Sequence, residues 1–124
     1  MARILVVDDE PDIRTLLRIA LERVDEFEVV AVASGADALT TFAGGGFDVV
    51  LLDVMMPGMD GLETLERLRA QPGGDTVAVA FLTARAQAAD VESYRAAGVA
   101  DVLTKPFDPK ALVTRVRELA EVGR

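Results

Sequence analysis

Five short apolar runs recur along the chain, and each is followed by a segment with helical periodicity. The runs are Ile4–Val7, Val29–Val32, Val49–Leu52, Val77–Leu82 and Val102–Leu103. The first four are rich in valine and read as buried strands, and the fifth is shorter and weaker. After the first run, Ile13, Leu16, Leu17, Ala20, Leu21 and Val24 recur at three- and four-residue steps, which is the apolar stripe of a helix. Leu112, Val113, Val116, Leu119 and Ala120 repeat the pattern near the end. Five β-then-α units predict an α/β fold with a parallel sheet, because each crossover helix returns the chain to the same end. Continuous apolar strands, as opposed to alternating ones, predict a sheet covered on both faces.

Local signals place the helix starts. Pro11 and Pro109 suit a first helical turn, with Asp108 as N-cap before Pro109. Ser34 caps the second helix, and Asp60 followed by Glu63 has a capping-box spacing for the third. The fourth helix, roughly Gln87–Ala97, is mostly alanine and polar residues, and Gly98 closes it. Alanine buries little area, so this helix should be the least firmly anchored. Gly44-Gly45-Gly46 reads as a loop between helix two and strand three.

Composition narrows the chemistry. The 124 residues fit one domain, spanning 1–124, and 51% of them are apolar, enough for a packed core. There is no cysteine and no histidine, which excludes thiol catalysis, cysteine zinc sites, histidine general bases and serine–histidine triads. A net charge of −8 disfavours nucleic acid and anionic membranes as direct partners. No apolar run reaches the roughly 18–20 residues of a membrane span, and the N-terminus lacks a signal-peptide layout. The expectation is a soluble, cytoplasmic domain.

In open parallel sheets, ligands bind outside the carboxyl ends of the strands. Strand one ends in Asp8-Asp9-Glu10, strand three in Asp53, strand four in Thr83 and strand five in Thr104-Lys105-Pro106. Two carboxylates about 4 Å apart repel by about 4 kcal/mol at an effective dielectric near 20. Such a cluster calls for a hard divalent cation, and Mg²⁺ takes one or two carboxylates plus waters and phosphate oxygens. Lys105 adds a positive charge suited to a phosphate oxygen, and Thr83 adds a hydroxyl. Asp53 is left as a carboxylate nucleophile able to form an acyl phosphate. Singly, an aspartate at a strand end reads as a cap or turn residue and Lys105 as a surface charge. Together, at one sheet end, they read as a site. Met55, Met56 and Met59 read as loop or core filling.

The segments Leu5–Glu10, Asp48–Gly61, Leu82-Thr83-Ala84 and Leu103–Phe107 closely resemble receiver domains of two-component response regulators, and the resemblance covers essentially the whole chain. It implies a doubly wound, flavodoxin-like three-layer sandwich, with a five-stranded sheet in order 2-1-3-4-5 and five helices. It implies that Asp53 takes a phosphoryl group from a sensor histidine kinase or a histidine phosphotransfer protein. Mg²⁺, with Mn²⁺ as the alternative, would be bound directly by Asp9, Asp53 and the backbone carbonyl of Met55, with Asp8 acting through water. Thr83 and Lys105 would contact the phosphoryl oxygens, and the Lys105–Pro106 bond would be cis. The same resemblance makes the domain a signalling module, an enzyme only in its own phosphorylation and dephosphorylation.

Several positions depart from or qualify the pattern. Many receivers carry an aromatic residue three places before the strand-five lysine; here it is Val102. Thr83, Val102 and Pro106 are the expected switch positions. Output is expected at the face formed by helix four, strand five and helix five, with coupling that differs in detail, and Tyr94 and Phe107 read as packing residues. Asp101 and Arg115 would fit an ionic dimer lattice, yet Ala97, Ala100 and Leu119 stand where charges would be needed, which favours a monomer over a phosphorylation-dependent dimer. Met55 and Arg85, each two residues beyond a site residue, are expected to set the acyl-phosphate lifetime.

Rival functions are weaker. A phosphatase of the haloacid-dehalogenase type wants an acid two residues after the nucleophile, where this chain has Met55. A receiver-like module that no longer takes phosphate would lack Asp53 or Lys105. A flavodoxin-type cofactor protein would need stacking surfaces that one tyrosine and no tryptophan do not supply. The sequence ends at Gly123-Arg124, just past helix five, which suits either a stand-alone receiver or a piece of a longer regulator.

Overall fold

The computed structural model of the protein describes residues 1–84 and 87–122. Its elements run β1 (Ala2–Val7), α1 (Pro11–Glu22), β2 (Phe27–Val32), α2 (Gly35–Ala43), β3 (Val49–Asp53), α3 (Gly61–Arg69), β4 (Ala78–Thr83), α4 (Ala88–Ala96), β5 (Asp101–Thr104) and α5 (Pro109–Val122). All paired strands are parallel, and the sheet order is β2-β1-β3-β4-β5. The alternation of runs predicted the parallel α/β sheet, and the family resemblance implied this flavodoxin-like order.

Side-chain alternation along each strand splits the core in two. Ile4 and Val6, Val49 and Leu51, and Ala78, Ala80 and Leu82 face α1 and α5, where they meet Leu17, Leu21, Leu112 and Val116. Leu5 and Val7, Val50 and Leu52, and Val79 and Phe81 face the other layer, against Phe42, Leu65, Leu68 and Tyr94. Both faces of β1, β3 and β4 are thus covered, which explains why their sequences are continuously apolar.

The caps sit as the sequence indicates. Ser34 Oγ accepts from Asp37 N–H at 3.1 Å, Asp60 Oδ1 from Glu63 N–H at 2.8 Å, and Asp108 Oδ2 from Ala111 N–H at 3.2 Å. Gly98 follows α4 with φ +100°, and its N–H donates to Arg95 O. Two boundaries differ from the apolar runs. Val24 lies beyond α1, in the turn whose N–H reaches Leu21 O. Val77 precedes β4, with its N–H directed to Gly73 O. Both still pack on or in the core, so hydrophobicity marked burial there without marking the element.

Helix α4 is the weakly held one. Tyr94 is its only buried residue, set edge-on against Phe81 with ring centroids 5.4 Å apart. Arg69 steadies the neighbouring turns, donating to Gly74 O, Val77 O and Gly98 O at 2.7–3.0 Å. Burial pushes the pKa of that guanidinium down. The triglycine is a loop, and Arg3 Nη1 donates to Gly45 O at 2.7 Å across it.

Candidate functional site

Strand register assembles the site. Val7 is the partner of Leu52, so the next residues, Asp8 and Asp53, emerge side by side at the carboxyl ends of β1 and β3. Asp53 pairs with Leu82, and Thr83 with Thr104, which brings the hydroxyl and the Lys105 segment to the same rim. Asp8, Asp53 and Thr83 are all buried.

Lys105 knits the group. Its Nζ lies 2.7 Å from Asp8 Oδ2, 3.4 Å from Asp53 Oδ2 and 3.6 Å from Glu10 Oε1. The Lys105–Pro106 peptide is cis. Asp8 Oδ1 accepts the Glu10 N–H at 2.9 Å, and Asp53 Oδ1 accepts the Met55 N–H at 3.2 Å.

These contacts set the charges. Burial, and then the neighbouring Asp8 carboxylate, push the Asp53 pKa up to about 6; Lys105 and the Met55 amide oppose them. Burial works against the Lys105 ammonium, yet the hydrogen bond to Asp8 and the charges of Asp53, Asp8 and Glu10 outweigh it and hold its pKa above the usual lysine value.

One carboxylate oxygen from each of Asp8, Asp9, Glu10 and Asp53 lies within 4.8 Å of the others. Four hard oxygen donors facing one ammonium form an anion-rich cup, and this donor set fits Mg²⁺ or Mn²⁺. A Cβ at Gly61 would stand 2.5 Å from Asp53 O and 2.7 Å from Val54 Cα. The β3–α3 turn therefore closes over the end of β3 only because position 61 lacks a side chain.

The expected residues Asp8, Asp9, Asp53, Thr83 and Lys105 all meet at this rim. Val102 lies half-buried one strand away, opposite Phe81 in the β4–β5 register. Tyr94 is a packing residue, as expected, and Phe107 packs on the α1–α5 side of the core. Met56 is buried, whereas the Met55 side chain is exposed. Arg85, expected beside the path of a hydrolytic water, lies outside the described residues. Two participants were given no role from the sequence, although Glu10 was named at the end of strand one. Glu10 joins both the carboxylate group and the Lys105 cluster, and Arg14 Nη1 donates to Asp8 O at 2.8 Å, bracing the β1–α1 turn. The available hint was a glutamate, a poor N-cap residue, just before Pro11; in the structure it makes no side-chain cap to α1.

Residues 4–117 match the model of the response regulator receiver domain. The chain belongs to the response regulator receiver domain family. It is 43% identical over 115 residues to the DNA-binding response regulator MtrA of Mycolicibacterium smegmatis, covering 93% of this chain and 49% of that protein. It is 43% identical over 114 residues to the transcriptional regulatory protein CseB of Streptomyces coelicolor, covering 92% of this chain and 47% of that protein. The chain thus spans about half the length of these relatives. Among solved structures, chemotaxis protein CheY4 of Vibrio cholerae superposes with a TM-score of 0.89 at 31% identity, covering 96% of this chain and 98% of that one. The receiver domain of sensor histidine kinase PA1611 from Pseudomonas aeruginosa, solved with magnesium in its active-site cleft, gives 0.88 at 31% identity, covering 97% and 98%. The receiver is accordingly a signalling module of two-component systems. Among the described residues, no helix is long and apolar enough to cross a membrane.

Proposed function

We propose that residues 1–124 form one receiver domain, cytoplasmic and monomeric, in which Asp53 is the phosphoacceptor. A carboxylate oxygen of Asp53 attacks the phosphorus of a phosphohistidine on a sensor kinase or phosphotransfer protein. The P–N bond breaks, the histidine nitrogen leaves with its electron pair, and an acyl phosphate remains on Asp53. These residues include no histidine, so the phosphohistidine lies outside them, or the donor is a small acyl phosphate. The observation that carries this reading is the approach of Lys105 Nζ to both Asp8 and Asp53 at one end of the sheet.

Asp9, Asp53 and the Met55 carbonyl would hold Mg²⁺, with Asp8 bound through water. The cation supplies charge neutralisation at the transferring group. Lys105 offers its ammonium to a phosphoryl oxygen and Thr83 its hydroxyl. Thr83 lies two residues beyond Phe81 on β4, and Phe81 carries Tyr94 of α4 on its ring. A shift of Thr83 is thereby coupled to the least anchored helix, and with Val102 and Pro106 it alters the α4–β5–α5 surface that output partners read. Two contacts support the monomer. Asp101 is engaged by Arg95 and Arg115 of its own chain, and Leu119 is buried in the core.

Incubation with acetyl phosphate and Mg²⁺, followed by intact-mass spectrometry, tests the reading. The wild type gains one phosphoryl group, later lost by self-catalysed hydrolysis, and Asp53→Asn gains none. No gain on the wild type would refute it.

A further inference from the structure

Glu10 is the unassigned member of the cluster. Its backbone N–H is tied to Asp8 Oδ1, which fixes the residue at the mouth of the site. Its carboxylate is 60% exposed, whereas Asp8 and Asp53 are buried and Lys105 is 12% exposed. Glu10 Oε1 is also the most distant of the three carboxylate oxygens around Nζ. The ammonium therefore sits mainly on the two buried carboxylates, with one acceptor waiting on the solvent side.

This arrangement contains a conflict. Asp53 would hold the cation directly and Asp8 through water, and both carboxylates are engaged by Lys105. A divalent ion on Asp53, with its water on Asp8, competes for those lone pairs and repels an ammonium a few ångströms away. Lys105 is too enclosed to escape into bulk water by a small movement, and a lysine ammonium that leaves two carboxylates needs another anion.

We propose that Glu10 is a positioning residue that receives the Lys105 ammonium when a divalent cation binds at Asp53 and, through water, at Asp8, and that it keeps Lys105 at the mouth of the site, ready for a phosphoryl oxygen. The inference rests on the phosphoacceptor reading above, and it assigns Glu10 to Lys105, not to the metal.

A double-mutant cycle separates the two assignments. Mg²⁺ affinity is measured by calorimetry on the wild type, Glu10→Gln, Lys105→Met and the double variant. Glu10→Gln should weaken binding roughly three- to fivefold, the scale of one partly exposed ion pair. The same change should have less than about a twofold effect when Lys105 is already Met, because its partner is gone. An equal loss in both backgrounds would make Glu10 a metal ligand or a through-space charge, and would overturn the proposal. A second readout avoids the Lys105 variant. Lys105 is one of only two lysines, so its Nζ proton signal can be followed directly. In Mg²⁺-loaded protein that signal should be protected from solvent exchange in the wild type and lost in Glu10→Gln; unchanged protection would also overturn the proposal. A wild type that binds no Mg²⁺ at all would instead remove the reading of the site on which this one rests.

Discussion

Lys105 Nζ lies 2.7 Å from Asp8 Oδ2, and the Asp8 side chain has no solvent exposure. Two charges from opposite ends of the chain are thus buried on one another, with Asp53 at 3.4 Å from the same ammonium. Breaking a buried pair leaves an uncompensated charge, which is far worse than losing a surface contact. Lys105→Met should destabilise the cation-free protein at neutral pH by about 1–3 kcal/mol, less than a fully enclosed pair because the site opens to solvent at Glu10. Urea titration with and without Mg²⁺ checks this, and Mg²⁺ should close most of the gap.

The raised Asp53 pKa has a definite sign in stability. Its folded value of about 6 lies above the ordinary 3.8, so the folded state binds the proton more tightly than the unfolded chain does. The favourable contribution is complete below pH 4 and is lost as pH rises through 6, leaving a charged Asp53 that opposes folding by up to about 3 kcal/mol. Asp53→Asn should therefore stabilise the cation-free domain above pH 6, with the advantage shrinking towards pH 4. Denaturation midpoints between pH 4 and 8 measure it; an Asn variant no more stable at pH 8 than the wild type would contradict the shift.

Tyr94 alone secures the buried side of α4. Tyr94→Ala removes the edge-on contact with Phe81 and should cost about 2–4 kcal/mol. Amide exchange over residues 88–96 should accelerate more than exchange in β1 or β3.

Asp101 joins three elements. Its Oδ2 contacts Arg115 on α5, Oδ1 lies 3.8 Å from Arg95 on α4, and Oδ1 also accepts the Val102 N–H of β5 at 2.8 Å. Asp101→Asn keeps the volume and one acceptor but loses the charge, and should cost about 1–2 kcal/mol. If the chain instead used Asp101 between two copies after phosphorylation, sedimentation of the beryllofluoride complex would show a dimer that the variant lacks.

Gly61→Ala places a methyl group against backbone at Asp53 and Val54. Neither neighbour can swing aside as a side chain would, so the β3–α3 turn must move, at about 1–3 kcal/mol. Labelling of Asp53 should slow in parallel, whereas an unchanged rate would show that the turn's position is immaterial to the nucleophile.

The particular residues show what could be read in advance. Asp8 and Lys105 directly follow β1 and β5, and Asp53 and Thr83 end β3 and β4, so a parallel sheet gathers them at one rim. The helix caps at Ser34, Asp60 and Asp108 were legible because each is a short-range bond within a few residues. Glu10 and Arg14 were not, because their contacts depend on how the β1–α1 turn folds back over the strand end. Asp101 looked like a candidate for pairing between copies; only packing shows that Arg95 and Arg115 already converge on it. The limits of β4 were blurred at Val77, since burial and strand pairing are different properties that valine satisfies alike.

The order in which the chain delivers its groups has a consequence for synthesis. β1 and β3 bring Asp8 and Asp53 together, but Lys105 arrives only with β5, the last strand. On the proposed reading, a nascent chain lacks the ammonium of the site until β5 has been made, so the cluster around Asp53 is complete only once the β5–α5 unit has been added.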